Sequence, residues 1–264
     1  MHMFAYMKRI LTALALAAAL WLPALAASHR TVRDIPYSSK ADERLRLDIH
    51  YPLDAEGCKV VVWYHSGGLT SGAKEVPKAL QDRGLVVVGV GYRLLPGVTI
   101  DECIDDAAEA LAWVFKNIQR YGGDPAKIYV SGHSAGGYLT MMLGLDKSWL
   151  AKYGIDADSI KALIPFSGQA ISHFAYRDMQ GIPNLRPTID RYAPLYHVRP
   201  DAPPLLLITG DREKELFGRY EENAYLWRLM QLVGHKATVL YELGGFDHGS
   251  MAAPAFNLLL KSVE

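Results

Sequence analysis

Lys127-Ile128-Tyr129-Val130-Ser131-Gly132-His133-Ser134-Ala135-Gly136-Gly137 decides the fold. It opens as an apolar, β-branched run and then gives way to small residues, as where a buried strand turns into a helix. The pattern G-x-S-x-G falls at that turn, which sets Ser134 on a strand-to-helix elbow. A serine hydroxyl is a poor nucleophile at neutral pH, so using it requires lifting it out of the packed fold and standing a base beside it. A turn this tight strains the serine backbone, and a Cβ at Gly132 or Gly136 would collide with the neighbouring strand or helix. A pattern with three fixed positions also recurs in plain glycine turns, so its meaning depends on partners elsewhere in the chain.

Four further runs read as strands buried on both faces: Val60-Val61-Val62-Trp63-Tyr64, Leu85-Val86-Val87-Val88-Gly89-Val90, Ala162-Leu163-Ile164-Pro165-Phe166 and Leu205-Leu206-Leu207-Ile208. None alternates, which is the mark of a parallel sheet covered on both sides. Between them lie helical patterns, one over 101–119 and another from Phe217 to a stop at Gly234. The alternation implies an α/β fold, a mostly parallel central sheet with helices on both faces and right-handed crossovers. Leu45-Arg46-Leu47-Asp48-Ile49-His50-Tyr51 alternates instead and reads as an antiparallel strand at one edge. Over 167–204 the pattern breaks into prolines, glycines and aromatics, which predicts a small lid over the site.

Length and composition narrow the options. Lys8-Arg9, the apolar run from Ile10 to Leu22 and Ala24-Leu25-Ala26 read as a signal peptide over 1–26, too short for a membrane span. The remaining 27–264 suit one domain, exported to the periplasm or secreted, with no stable membrane span after cleavage. Lys and Arg number 28, as do Asp and Glu, so the whole chain is neutral and loss of 1–26 leaves −2. The basic residues are spread rather than clustered, which argues against a nucleic-acid partner. Cys58 and Cys103 fall at opposite ends of the predicted strand layer, too far apart for a disulfide.

In open α/β sheets ligands bind beyond the carboxyl ends of the strands, so the elbow's partners should follow later strands. His65-Ser66-Gly67-Gly68 directly follows Tyr64; Gly67 or Gly68 could give one backbone donor of an oxyanion hole and Ala135 the other. His248 follows the strand predicted over 237–241, in a glycine-rich loop, and histidine alone titrates near neutrality without large tuning. His29, His50, His173, His197 and His235 fall in polar or loop surroundings that predict surface placement, while His65 and His133 read as loop-positioning residues. An acid is required to orient His248, and Asp211 and Glu213, after the strand ending at Ile208, both qualify. Whichever of the two is not the acid is expected to cap the next helix or pair with Arg212.

These residues together resemble the α/β-hydrolase superfamily, and within it the bacterial carboxylesterases similar to hormone-sensitive lipase. The resemblance is carried by the elbow, by His65-Ser66-Gly67-Gly68 with Ser66 where relatives have glycine, by Gly91-Tyr92-Arg93-Leu94-Leu95-Pro96, by Asp105-Asp106-Ala107 and by Gly122-Gly123-Asp124-Pro125. It implies the α/β-hydrolase fold and ester cleavage through an acyl-enzyme on Ser134, with His248 as base. It favours Glu213 as the acid, three residues after Gly210, with Asp211 the alternative. It implies no cofactor and no metal, and a small-molecule or carbohydrate-linked ester as substrate. Feruloyl esterases, acetyl-xylan esterases, kynurenine formamidases and prolyl peptidases share the family, so an amidase or peptidase is the alternative activity. A non-catalytic binding protein of this fold would be expected to lose Ser134 or His248, and both are present.

Overall fold

A computed structural model of the chain describes residues 28–54 and 56–264. The signal peptide expected over 1–26 lies outside them. Eight strands form one sheet in the order β1-β2-β4-β3-β5-β6-β7-β8. They are β1 (His29–Pro36), β2 (Arg46–Pro52), β3 (Cys58–Tyr64), β4 (Val86–Val90), β5 (Gly123–His133), β6 (Ala162–Phe166), β7 (Leu205–Gly210) and β8 (Thr238–Leu243). From β4 to β8 every neighbour is parallel, and β2 runs antiparallel to both β1 and β4. The 45–51 run is therefore antiparallel as expected but is not the edge. β1 lies outside it, with a register shift between Val32 and Ile35, and only every third residue of β1 is even half-buried.

The helices are α1 (Ile100–Asn117), α2 (Ala135–Leu145), α3 (Lys147–Ala151), α4 (Phe174–Met179), α5 (Arg219–Leu232) and α6 (Ala252–Val263). Alternate residues of the buried strands feed two cores, as the two-residue strand period demands. Val60, Val62, Val86, Val88, Val130 and Leu207 pack with α1, α2 and α5 on one face. Val61, Trp63, Val87, Ile164, Phe166 and Ile208 pack with α6 on the other. α1 starts with a capping box, Thr99 accepting the Glu102 amide while Glu102 accepts the Thr99 amide, which satisfies two amides of its open first turn. The fully buried Asp106 of α1 holds Arg93 by a bidentate pair, Nε–Oδ2 2.7 Å and Nη2–Oδ1 2.8 Å, tying the segment after β4 to the helix.

The segment 167–204 carries α4 and a single turn of tighter helix at Pro194–His197, and is packed rather than loose. Ala170, Ile171, Ala175, Tyr192 and Leu195 are buried in the larger core. The buried Arg177 gathers its loops by donating to the carbonyls of Ser172, Pro183, Asn184 and Arg186. Both cysteines are free thiols, Cys58 half-buried and Cys103 buried. No described helix is long and apolar enough to cross a membrane.

Candidate active site

β5 delivers Ser134 at the carboxyl edge of the sheet, and α2 begins at the next residue. Ser134 has φ 56° and ψ −111°, a region that a residue with a Cβ holds only when its surroundings over-determine it. Those surroundings are visible: its amide donates to Phe166 O at 2.8 Å, and its carbonyl accepts the Tyr138 amide at 2.9 Å. At Gly136 a Cβ would stand 1.9 Å from the Tyr64 carbonyl oxygen, so only glycine lets the first turn of α2 abut the end of β3. That contact also brings the loop leaving β3 beside Ser134.

In that loop Gly67 and Gly68 have φ 114° and 63°, left-handed values that glycine adopts without strain. The Gly67 carbonyl accepts the Thr70 and Ser71 amides, which closes the turn. A Cβ on Gly68 would lie 2.9 Å from the ring of Phe174, so α4 lies against this loop. Ala135 is the first residue of α2, and its amide has no intrahelical acceptor. His65 stacks on Tyr92 with centroids 4.2 Å apart, and its carbonyl accepts the Tyr92 hydroxyl at 2.7 Å. Burial lowers its pKa to about 4, so it stays a neutral support for the loop.

His248 Nε2 stands 2.9 Å from Ser134 Oγ. Its Nδ1 is 2.8 Å from Glu215 Oε2, and this carboxylate, not Glu213 or Asp211, completes the relay. Glu213 is exposed, and its amide donates to Asp211 Oδ1 at 2.9 Å. Asp211 Oδ2 accepts the Gly245 amide at 2.6 Å, buttressing the loop that carries His248 without reaching its ring. Neither acid caps α5, whose cap position is Gly218, and Arg212 pairs with Glu242 instead. The reason for the two-residue offset is local. After β7 the chain makes a helix-like turn, the amides of Lys214 and Glu215 both donating to the Asp211 carbonyl at 2.9 Å. That turn folds residue 215 back over the strand end while residue 213 faces solvent.

The Glu215 side chain is 1% exposed. Burial alone would raise its pKa, but hydrogen bonds from His248, Ser167 and the Gly210 amide outweigh burial and hold it down to about 2. Ser167, the first residue after β6 and with φ 47°, donates to Glu215 Oε1 and lies 3.1 Å from His248 Nδ1. Its carbonyl accepts from the buried Arg219, and its amide donates to Ile208 O at 2.7 Å. Neither Ser167 nor Glu215 was legible beforehand; the available signal was their place just past the ends of β6 and β7. His133 Nε2 donates to the His248 carbonyl at 2.8 Å, which pins the loop backbone. Burial, then the neighbouring His248, lower the His133 pKa to about 4.

Three of the histidines expected at the surface are buried: His50, His173 and His235. Each has a polar partner that offsets its desolvation. His235 lies 2.6 Å from Thr238 Oγ1 and 2.8 Å from Ala202 O, His173 accepts the Ala175 amide, and His50 lies 2.9 Å from Thr31 Oγ1.

Strand order, elbow and relay together define the α/β-hydrolase fold. Within it the relatives are esterases by name. The family described as BD-FAE matches residues 47–170. Isoprenylcysteine alpha-carbonyl methylesterase ICME of Arabidopsis thaliana is 26% identical over 242 residues, 81% of this chain and 56% of that protein. Carboxylesterase NlhH of Mycobacterium tuberculosis is 35% identical over 127 residues, 46% of this chain and 39% of that protein. The chain thus spans about half or less of the curated relatives it matches. Among solved structures, a truncated carbohydrate esterase from gut microbiota superposes with a TM-score of 0.76 at 16% identity, covering 91% of this chain and 97% of that one. Esterase B from Lactobacillus rhamnosis superposes with a TM-score of 0.71 at 18% identity, covering 98% and 96%.

Proposed function

We propose that this protein is a serine hydrolase that cleaves carboxylic esters through an acyl-enzyme on Ser134. The observation that carries the reading is the unbroken relay of Ser134 Oγ, His248 and Glu215, at 2.9 and 2.8 Å. His248 Nε2 takes the hydroxyl proton as Oγ attacks the ester carbonyl carbon. The carbonyl oxygen becomes an oxyanion, for which the amides of Ala135 and of Gly67 or Gly68 are the donors, each worth about 3 kcal/mol of transition-state stabilisation. The tetrahedral intermediate collapses, the bond to the alcohol breaks, and His248 returns the proton to the departing oxygen. Water then repeats the cycle on the acyl-enzyme, with His248 as base and the free acid as product. Glu215, ionised throughout, holds the histidine tautomer and stabilises the imidazolium.

The esterase names among the relatives support this chemistry, and the carbohydrate esterase among the structural neighbours fits a substrate that is a small or sugar-linked ester. A fluorophosphonate probe tests the nucleophile: it should label the wild-type protein and not Ser134→Ala, and equal labelling of both refutes the assignment. Export of the chain after removal of 1–26 is proposed with it, and the N-terminal residue of the mature protein recovered from the cell envelope or medium checks it.

A further inference from the structure

We propose that His29, His50 and Asp82 form a binding site for a divalent transition-metal ion such as zinc, distinct from the Ser134 site. The three come together only through the fold. His29 lies on β1 and His50 on β2, and the pairing of Thr31 with His50 puts both imidazoles on one face of the ribbon. Asp82 comes from the left-handed turn just before β4, which pairs with β2. The cluster thus sits at the amino end of β4, two strands across the sheet from β5 and at the opposite end of the strands from Ser134. Spacings of this length form no ligand motif in the sequence.

The donor geometry fits an ion. One donor atom from each residue lies within 4.8 Å of the others. Asp82 Oδ1 is 3.1 Å from His29 Nδ1 and 3.2 Å from His50 Nε2. A tetrahedral ion with bonds of about 2.0–2.1 Å holds its ligands roughly 3.3 Å apart, which both His–Asp82 separations already match. The two imidazoles are stacked with centroids 5.3 Å apart, so a ring must rotate for both lone pairs to meet at one ion. The imidazoles are also poorly hydrated, with side chains 11% and 8% exposed, while Asp82 at 69% leaves an open approach for an ion and its water.

Proton placement points the same way. His50 Nε2 lies 3.3 Å from the Asp82 amide and 3.2 Å from Asp82 Oδ1, so it accepts from the first in one tautomer and donates to the second in the other. In the first tautomer the ring proton sits on Nδ1 and is donated to Thr31 Oγ1 at 2.9 Å, as ligating histidines commonly use their second nitrogen. In that tautomer Nε2 faces the carboxylate oxygen acceptor to acceptor, and a cation between them would turn that repulsion into two bonds. Bound there, an ion would clip the otherwise exposed edge strand β1 to β2 and to the β4 turn.

The test uses protein stripped with a chelator and titrated with Zn²⁺ by calorimetry, then with Co²⁺ by its visible absorption. One equivalent should bind, raising the melting temperature and leaving ester hydrolysis unchanged. Asp82→Asn, at an exposed position, should lose most of the affinity with an unaltered circular dichroism spectrum, and Thr31→Val should weaken binding about 10- to 100-fold through the second nitrogen. Absence of stoichiometric binding by the wild type, or equal binding by Asp82→Asn, overturns the site.

Discussion

The Glu215 carboxylate accepts four hydrogen bonds, from His248, Ser167 and the amides of Gly210 and Leu216, so its charge is fully committed to holding the histidine. Glu215→Gln, nearly isosteric, should therefore lower kcat by about 10⁴ on an activated acetyl ester, through the wrong tautomer. Glu213→Gln should stay within a few-fold of wild type, and the reverse ranking would return the role to Glu213. Ser167→Ala removes one bond to the charged group without touching Ser134, so a fall in kcat of about 10- to 100-fold with KM unchanged is expected from a positioning residue. An unchanged kcat would reduce Ser167 to packing. Ser134 and His248 were legible in sequence because each sits at the first turn after a recognisable strand, where position alone implies function. Glu215 was not, because a count from Gly210 assumes a loop shape, and one extra turn of hydrogen bonds to Asp211 rotated the choice by two residues.

Elements were legible where burial dictated their composition. The strands from β3 to β7 have both faces covered along their apolar runs, whereas β8 exposes Val239 and Tyr241 at the far edge and β1 shows solvent most of its length and carries little hydrophobic signal. The segment 167–204 resisted reading for a related reason: Arg177 and backbone carbonyls hold it together, and such hydrogen bonds leave no periodicity in sequence. Contact between elements also sets what the elbow tolerates. Gly136→Ala would drive a methyl group into the Tyr64 backbone, and neither β3 nor α2 can yield without disturbing the sheet. A loss of about 1–3 kcal/mol is expected from overpacking, read from the urea midpoint, together with loss of activity as the glycine loop is pushed from Ser134. A stable, active Gly136→Ala protein would mean that the β3–α2 contact is looser than described.

For the molecule as a whole, the relay sits at one end of the sheet and most of its support is built from groups kept in a single protonation state by burial. His65 and His133 each have a folded pKa near 4 against 6.5 for the free side chain. Between these values the unfolded chain binds protons that the folded protein refuses, so stability falls as pH drops from about 6.5 toward 4, by on the order of 2–3 kcal/mol per group. Glu215 acts in the next window. Its pKa near 2 against 4.5 gives stability that is present above about pH 4.5 and lost as pH falls toward 2. Thermal unfolding followed from pH 7 to 3 should therefore show the melting temperature declining well before carboxylates titrate. His133→Gln, which retains a donor for the His248 carbonyl, should flatten the decline between pH 6.5 and 4 while leaving the steeper loss below it. A wild-type melting temperature that is level down to pH 4.5 would mean that these histidines become protonated in the folded protein, and that the loops they support open to water at a cost too small to measure.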